Sequence, residues 1–346
     1  MNINKSCKMG KFLNLIIGSC ILVSLMMGCG FSNEKEIYQS SRNEVVKVKS
    51  EIQEVIKDEV LIGSLVRMEV LDDYLLVKDS KSLDTLIHVF DKKTFKHIRG
   101  LGLRGPGPDE ITNMGRIMPD EKNGSFHVSD FGKNKIFAYK MDSVIADPKY
   151  KPTLLCAIKD TQFPDDYVYI SDTLSIARII KILPNEPFQQ TLAYWNMKTG
   201  SMIPMSYTHP EIKRKRVMFN ASREKNVIVE AYSHHDLITI CDFQGNLRCN
   251  IYGPKWDNTM SNEMNYFGTV HFYKDMIAVS YSGRDNFSKD YLPTCIMFFD
   301  LKGNYLKTLD VGYKIQDFCV DEDNDRLIFA FSDEIQFGFL DLRGLI

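Results

Sequence analysis

The sequence predicts an all-β fold: a six-bladed β-propeller of four-stranded antiparallel blades, the last blade closed by an N-terminal strand. Three observations predict it. A short phrase recurs in which an apolar run meets a tight polar turn and then a second apolar run: Val89-Phe90-Asp91-Lys92-Lys93-Thr94-Phe95, Tyr194-Trp195-Asn196-Met197-Lys198-Thr199-Gly200, Ile240-Cys241-Asp242-Phe243-Gln244-Gly245-Asn246 and Phe298-Phe299-Asp300-Leu301-Lys302-Gly303-Asn304. A phrase returning at roughly 45–60 residues among short strands marks propeller blades. Beyond residue 60 helical periodicity is nearly absent, and runs of about five to eight residues rich in Val, Ile, Phe and Tyr are cut by Asp, Asn, Gly and Pro. Those runs fall into six groups.

The chain opens differently. Lys5, Lys8 and Lys11 precede an almost wholly apolar stretch, 12–27, which Gly28-Cys29 closes. A basic segment followed by about 15 apolar residues reads as a secretory signal. The small residue before Cys29 resembles the end of a bacterial lipoprotein signal, which implies cleavage after residue 28 and lipidation of Cys29. Cys20 looks locally more like a lipobox cysteine, but cleavage there leaves 21–27 as an apolar run on the mature chain. An uncleaved anchor is the other alternative. The expected organisation is a signal over 1–28, a polar tether over 29–42 and the propeller over 43–346. The expected location is the cell envelope, lipid-anchored at the outer membrane.

Within the propeller, the first group has strands near 65–70, 74–78, 86–90 and 95–100. The second has 115–118, 125–129, 135–140 and 153–158; the third 167–170, 174–180, 190–195 and 202–206. The fourth has 217–220, 227–232, 237–241 and 247–252; the fifth 268–272, 276–281, 294–299 and 305–309. The sixth has only 315–320, 326–331 and 335–340. An unclosed ring exposes unpaired edges. Val45-Val46-Lys47-Val48-Lys49 is therefore expected to supply the missing outer strand.

The composition, 44% hydrophobic and 25% charged over 346 residues, is that of a globular chain with ample core. A net charge of −2 gives no nucleic-acid footprint. Of eight cysteines, Cys7, Cys20 and Cys29 precede the propeller, and the remaining five are scattered through apolar runs as small buried hydrophobes. Cys241 and Cys249 flank one turn and are the only pair close in sequence. No spacing suggests zinc, and no cofactor is implied.

The stretch Arg99-Gly100-Leu101-Gly102-Leu103-Arg104-Gly105-Pro106-Gly107-Pro108-Asp109-Glu110 carries a resemblance, together with Val128-Ser129-Asp130-Phe131-Gly132-Lys133-Asn134-Lys135-Ile136-Phe137. With the lipoprotein-type start and six strand groups, they resemble the TolB-like six-bladed propeller lipoproteins of gut anaerobes, relatives of NHL-repeat propellers. The second piece is similar to the NHL-type turn, in which an Asp and an Asn cap the strand 2–3 hairpin. The resemblance implies the fold and little about activity. The letters of 100–105 match a dinucleotide fingerprint, but no helix follows, and Pro106 and Pro108 remove N–H donors.

Loop lengths point to one face. Turns joining strands 1–2 and 3–4 are short, whereas 101–114, 181–189, 207–216, 253–267 and 282–293 are long and lie on the opposite face. Long loops on a rigid scaffold carry binding sites. The candidate ligand-binding residues are Arg104 and Glu110 in the Gly/Pro loop, Arg116 on an innermost strand, His234 and His235 in a strand 2–3 turn, and Trp256 in a long loop. Arg104 and Glu110 read equally as a surface ion pair, His234-His235-Asp236 as a solvated turn, and Trp256 as packing on the blade rim. Arg67, Glu69, Arg116 and Tyr169 are expected along the channel. The acidic turns Asp72-Asp73 and Asp321-Glu322-Asp323-Asn324-Asp325 read as solvated hairpins. The function expected is a binding or scaffold module for a glycan or a peptide. The alternative is a lyase or hydrolase using a cation at the channel mouth.

Overall fold

The computed structural model describes residues 35–56, 60–157, 164–181, 189–259 and 261–346. The leader, the cleavage site and Cys29 lie outside the described residues.

Three short strands come first: β1 (Glu36–Tyr38), β2 (Val45–Lys47) and β3 (Gln53–Glu54). Six blades follow. Blade 1 is β4 (Val66–Leu71), β5 (Tyr74–Asp79), β6 (Thr85–Asp91) and β7 (His97–Leu103). Blade 2 is β8 (Met114–Asp120), β9 (Ser125–Asp130), β10 (Lys135–Lys140) and β11 (Thr153–Ala157), with a one-and-a-half-turn helix α1 (Met141–Ala146) before β11. Blade 3 is β12 (Asp166–Ser171), β13 (Leu174–Lys181), β14 (Gln189–Trp195) and β15 (Met202–Pro204). Blade 4 is β16 (Val217–Ser222), β17 (Val227–Tyr232), β18 (Leu237–Cys241) and β19 (Leu247–Tyr252). Blade 5 is β20 (Met264–Tyr273), β21 (Met276–Asp285), β22 (Cys295–Asp300) and β23 (Tyr305–Asp310). Blade 6 is β24 (Ile315–Asp321), β25 (Arg326–Phe331) and β26 (Phe337–Asp341), and β3 pairs with β26 to complete it.

Closure by an N-terminal strand is thus present, but the strand is Gln53–Glu54, paired antiparallel to β26. The expected closing segment instead lies one blade earlier: Val45–Lys47 runs parallel to β23 as a fifth strand of blade 5. Strand β1 similarly flanks β19 of blade 4. The chain therefore runs as a strap along the outer edges of blades 4, 5 and 6 in turn. Residues 37–42, placed in the tether from sequence, belong to this strap. Gly338 makes room for its last strand: a Cβ there would lie 2.8 Å from Ile52 Cγ2 and 3.1 Å from the Gln53 carbonyl.

The recurring phrase is an Asx turn joining the third and fourth strands. Asp91 Oδ1 accepts the N–H groups of Lys93 and Thr94, at 3.1 and 2.7 Å. Asn196 Oδ1 does the same for Lys198 and Thr199, and Asp300 Oδ1 for Lys302 and Asn304. The side chain stands in for a backbone acceptor and fixes the turn. Gly245 and Gly303 follow at φ +83 and +92, a conformation that a Cβ disfavours.

The core is divided among the junctions. One apolar cluster fills each of the six gaps between blades, such as Phe298, Phe318 and Phe329 between blades 5 and 6, or Val66, Phe90, Ile328 and Phe337 between blades 6 and 1. The second strands are flanked by apolar neighbours on both faces, which explains why all six residues of β17 and of β25 are buried. Among the described residues no disulfide forms, and Cys241 and Cys249 are not bridged to each other.

Candidate binding channel

Each blade turns its first strand toward the central channel. Polar links tie the innermost strands at every junction. Arg116 Nη2 lies 3.0 Å from Glu69 Oε1, joining blades 2 and 1, and its Nη1 lies 3.5 Å from Asp166 Oδ2 of blade 3. Arg178 donates to the Val217 carbonyl (2.5 Å), joining blades 3 and 4, and Asn220 donates to the Val270 carbonyl (2.9 Å), joining 4 and 5. Thr269 Oγ1 donates to Asp317 Oδ1 (2.7 Å), joining 5 and 6, and the Met68 N–H donates to Asp317 Oδ2 (2.8 Å), returning to blade 1. Together they form a closed hoop inside the ring.

The channel opens on both faces. On the face of the 1–2 and 3–4 turns is a bowl of about 810 Å³. Its rim carries Asp72, Glu121, Glu322, Asp323 and Asp325, and its floor holds Glu69 and His271. Lys92 pairs with Asp321 and Asp323, at 3.2 and 2.7 Å, and Lys274 with Asp325 at 2.7 Å. Asp72, Glu121 and Glu322 have no ion-pair partner among the described residues. Burial, then Asp72 and Asp323, holds the Glu121 carboxyl above its ordinary range. Burial, with Arg116 adding to it and Asp317 opposing, drives His271 down to about 4, so the imidazole is neutral at neutral pH.

On the long-loop face the channel narrows to a pocket of about 160 Å³ lined by Arg67, Glu69, Lys78, Arg116, Phe131 and Asp166, among others. Burial pushes Lys78 down to about 8, helped by the Arg67 and Arg116 guanidiniums. Burial pulls Arg116 down as well, but Asp166 and Glu69 outweigh it and the net is upward. Glu69 sits at the waist and faces both openings. Burial lifts it to about 7 against the opposing pull of Arg116.

Of the six candidates, only Arg116 stands in the channel. Arg104 turns inward and donates to the carbonyls of Ser82 (2.7 Å) and Ser80 (2.9 Å), pinning the strand 2–3 loop of blade 1. Glu110 accepts the Gly107 N–H at 2.7 Å and rivets its own loop, so the two form no ion pair with each other. His234 Nδ1 is 2.8 Å from the Met264 carbonyl, and buried His235 is 3.2 Å from that of Asp257. Asp236 points the other way, to Arg42, so these three neighbours do not converge. Trp256 packs against Tyr252, His209 and His235, with ring centroids 4.7–5.9 Å away, on the blade 4 rim. Among the described residues no three His, Cys, Asp or Glu side chains are placed to hold a metal ion.

Glu69 and Arg67 were expected in the channel and are there. Lys78, Glu121, His271 and Asp317 were missed. A charged residue directly after an apolar run on a first or second strand is the available signal, and Lys78 after Leu75-Leu76-Val77 shows it. Asp130 explains the NHL-type turn: its carboxylate accepts the N–H groups of Thr112, Asn113 and Gly132, all at 2.9–3.0 Å, tying the blade link to the hairpin.

A profile of six-bladed β-propellers, DUF5128, matches residues 33–236, more than half of the chain. The chain belongs to this family. DUF5128 describes the blades and assigns no activity. No curated protein matches the chain in sequence. The fold is similar to that of a protein from Bacteroides fragilis NCTC 9343, with TM-score 0.53, 10% identity, and coverage of 88% of this chain and 98% of that one. It is also similar to a DUF4221 family member from Bacteroides vulgatus ATCC 8482, with TM-score 0.52, 11% identity, and coverage of 84% and 95%. A luciferin-regenerating enzyme has the same relation, with TM-score 0.53, 11% identity, and coverage of 83% and 93%. At such identities the likeness concerns the fold alone.

Proposed function

We propose that this DUF5128 propeller is an extracytoplasmic binding module, lipid-anchored through Cys29, whose acidic bowl receives a basic peptide segment of a partner. The observation that carries the reading is the bowl itself, where Asp72, Glu121 and Glu322 ring an open cavity of about 810 Å³ without ion-pair partners among the described residues. Carboxylates on converging turns attract cations through the summed field. The site lies opposite the long-loop face on which the sequence placed it. On that face Arg104, Glu110 and Trp256 are each spent on holding a loop in place. No described residue set supports the cation-dependent lyase or hydrolase alternative.

The leader sequence, a basic segment and the apolar run 12–27 ahead of Gly28-Cys29, supports a place outside the cytoplasm. The test of binding is titration of the full-length protein with an oligolysine peptide at low salt. Asp72→Asn/Glu121→Gln/Glu322→Gln is expected to weaken binding by at least about tenfold and to flatten its salt dependence. Unchanged affinity, or equal binding of an oligoglutamate peptide, overturns the reading. Loss of lipid labelling in Cys29→Ala tests the anchor.

A further inference from the structure

We propose that the narrow pocket at the long-loop mouth of the channel is a second site, for a small carboxylate or a similarly sized oxyanion, held by Arg67, Lys78 and Arg116. This goes beyond the bowl and does not depend on it.

Three cations from three strands meet in one small cavity: Arg67 on β4, Lys78 on β5 and Arg116 on β8. Like charges this close repel, and the depressed Lys78 reports it. The local carboxylates are already engaged. Asp165 is gripped by Arg178 through both oxygens, at 2.7–3.1 Å. Asp166 Oδ1 accepts the Tyr167 N–H at 2.9 Å. Asp317 accepts Thr269 Oγ1 and the Met68 N–H, and its contact with Arg67 is 3.6 Å.

Lys78 Nζ donates to the carbonyls of Met114 (3.1 Å) and Gly115 (2.5 Å) and Arg116 meets Glu69 and Asp166, so the unused capacity lies in the third Lys78 proton and in parts of the two guanidinium forks. Arg67 spends Nη1 on the Gln316 carbonyl (2.8 Å), and its side chain is 37% exposed, so the rest of its fork is open to a ligand. Arg116 Nε is buried without an acceptor. The pocket is also shaped: Gly115 lies against Phe131, where a Cβ would come 2.6 Å from the ring. A cavity of about 160 Å³ fits a few heavy atoms and excludes a chain.

Glu69 couples the site to protons. It faces Arg116 from blade 2, Asp166 from blade 3, Asp317 and Cys319 from blade 6, and Arg67 on its own strand. Lys78 lines the same pocket. An anion beside it competes with the charged carboxylate for the same cations. Protonation releases Arg116 Nη2 from its 3.0 Å pairing with Glu69, and Glu69 changes form near pH 7.

The experiment is calorimetric titration of the full-length protein with acetate, and separately with sulfate, at pH 6 and pH 8. Neither ion changes its own charge in this range. Saturable binding is expected, about tenfold tighter at pH 6, the ratio of protonated fractions for a group titrating at 7. Glu69→Gln is expected to bind near the pH 6 strength at both pH values, with at most about a twofold difference left by Lys78, which is half neutral at pH 8. Arg67→Met, at a partly exposed position, is expected to lose binding while unfolding at the wild-type denaturant concentration. Absence of saturable binding at pH 6 overturns the proposal, as does undiminished binding in Arg67→Met. A tenfold pH ratio that survives in Glu69→Gln overturns the coupling. The triple bowl variant is expected to bind acetate as wild type does, which separates this site from the peptide site.

Discussion

Arg42 is the peg that holds the strap, and its removal has a calculable cost. Its side chain is 4% exposed and that of Asp236 is fully buried, with Nη1 2.7 Å from Asp236 Oδ1. Nε donates to Gln39 Oε1, and the guanidinium lies 5.5–5.9 Å from the ring centroids of Phe267, Tyr281 and Phe299. The peg thus threads from the strap between blades 4 and 5. Arg42→Met keeps most of the packing but strands the Asp236 charge, which retains only the Lys255 N–H at 3.2 Å. Breaking a buried pair from one side costs about 3–5 kcal/mol, whereas removing both charges is close to neutral. Urea unfolding of the full-length protein should show a loss of about 4 kcal/mol for Arg42→Met, a similar loss for Asp236→Asn, and a double variant within about 1 kcal/mol of wild type. Limited proteolysis should cut the strap faster in both single variants. A loss under about 1 kcal/mol in the singles, or a double variant as weak as their sum, would refute the peg.

Two further outcomes concern stability. Glu69 has a raised acid pKa, so its contribution is full below the unfolded value of 4.5 and is lost as pH rises through 7, about 3 kcal/mol in all. His271 is depressed from 6.5 to about 4, so its contribution is present above 6.5 and lost as pH falls through 4. The two slopes oppose each other, and chemical unfolding from pH 4 to 8 should show acid lability in Glu69→Gln and acid stabilisation in His271→Asn; parallel profiles would contradict both assignments. Gly338→Val should push Ile52 and Gln53 off blade 6 and cost about 1–3 kcal/mol, read as faster cleavage within residues 50–56 with blades 1–3 still protected.

The blades were legible because the Asx turn writes the same letters between the third and fourth strands of blades 1, 3, 4 and 5, and all 23 strands drawn in the six groups have a counterpart. The strap was half legible. Val45–Lys47 has strand chemistry, but nothing in its residues signals a parallel partner 263 positions away, Thr308 opposite Val45. Gln53–Glu54 is two polar residues, and only the free edge of β26 makes it a strand. Helix α1 escaped because two buried residues, Met141 and Val144, are too few to set a period. The bowl was invisible for a different reason. Asp72, Glu121 and Glu322 each sit in an ordinary acidic turn, and only ring closure places the three turns around one opening. Arg104, Glu110 and Trp256 looked exposed because they sit in loops, yet each is spent on holding a loop in place.

The strap also sets an order of events. Gln39 bonds to Tyr252, Val45 pairs with Thr308, and Glu54 pairs with Gly338. The first part of the propeller to leave the ribosome must therefore wait, unpaired, for the last. An unfinished chain has blades but no ring, and contacts this distant in sequence make closure slow. The first strap strand can pair once residue 252 is made and the second once residue 310 is, but the edge of blade 6 stays unguarded until residue 338 meets Glu54.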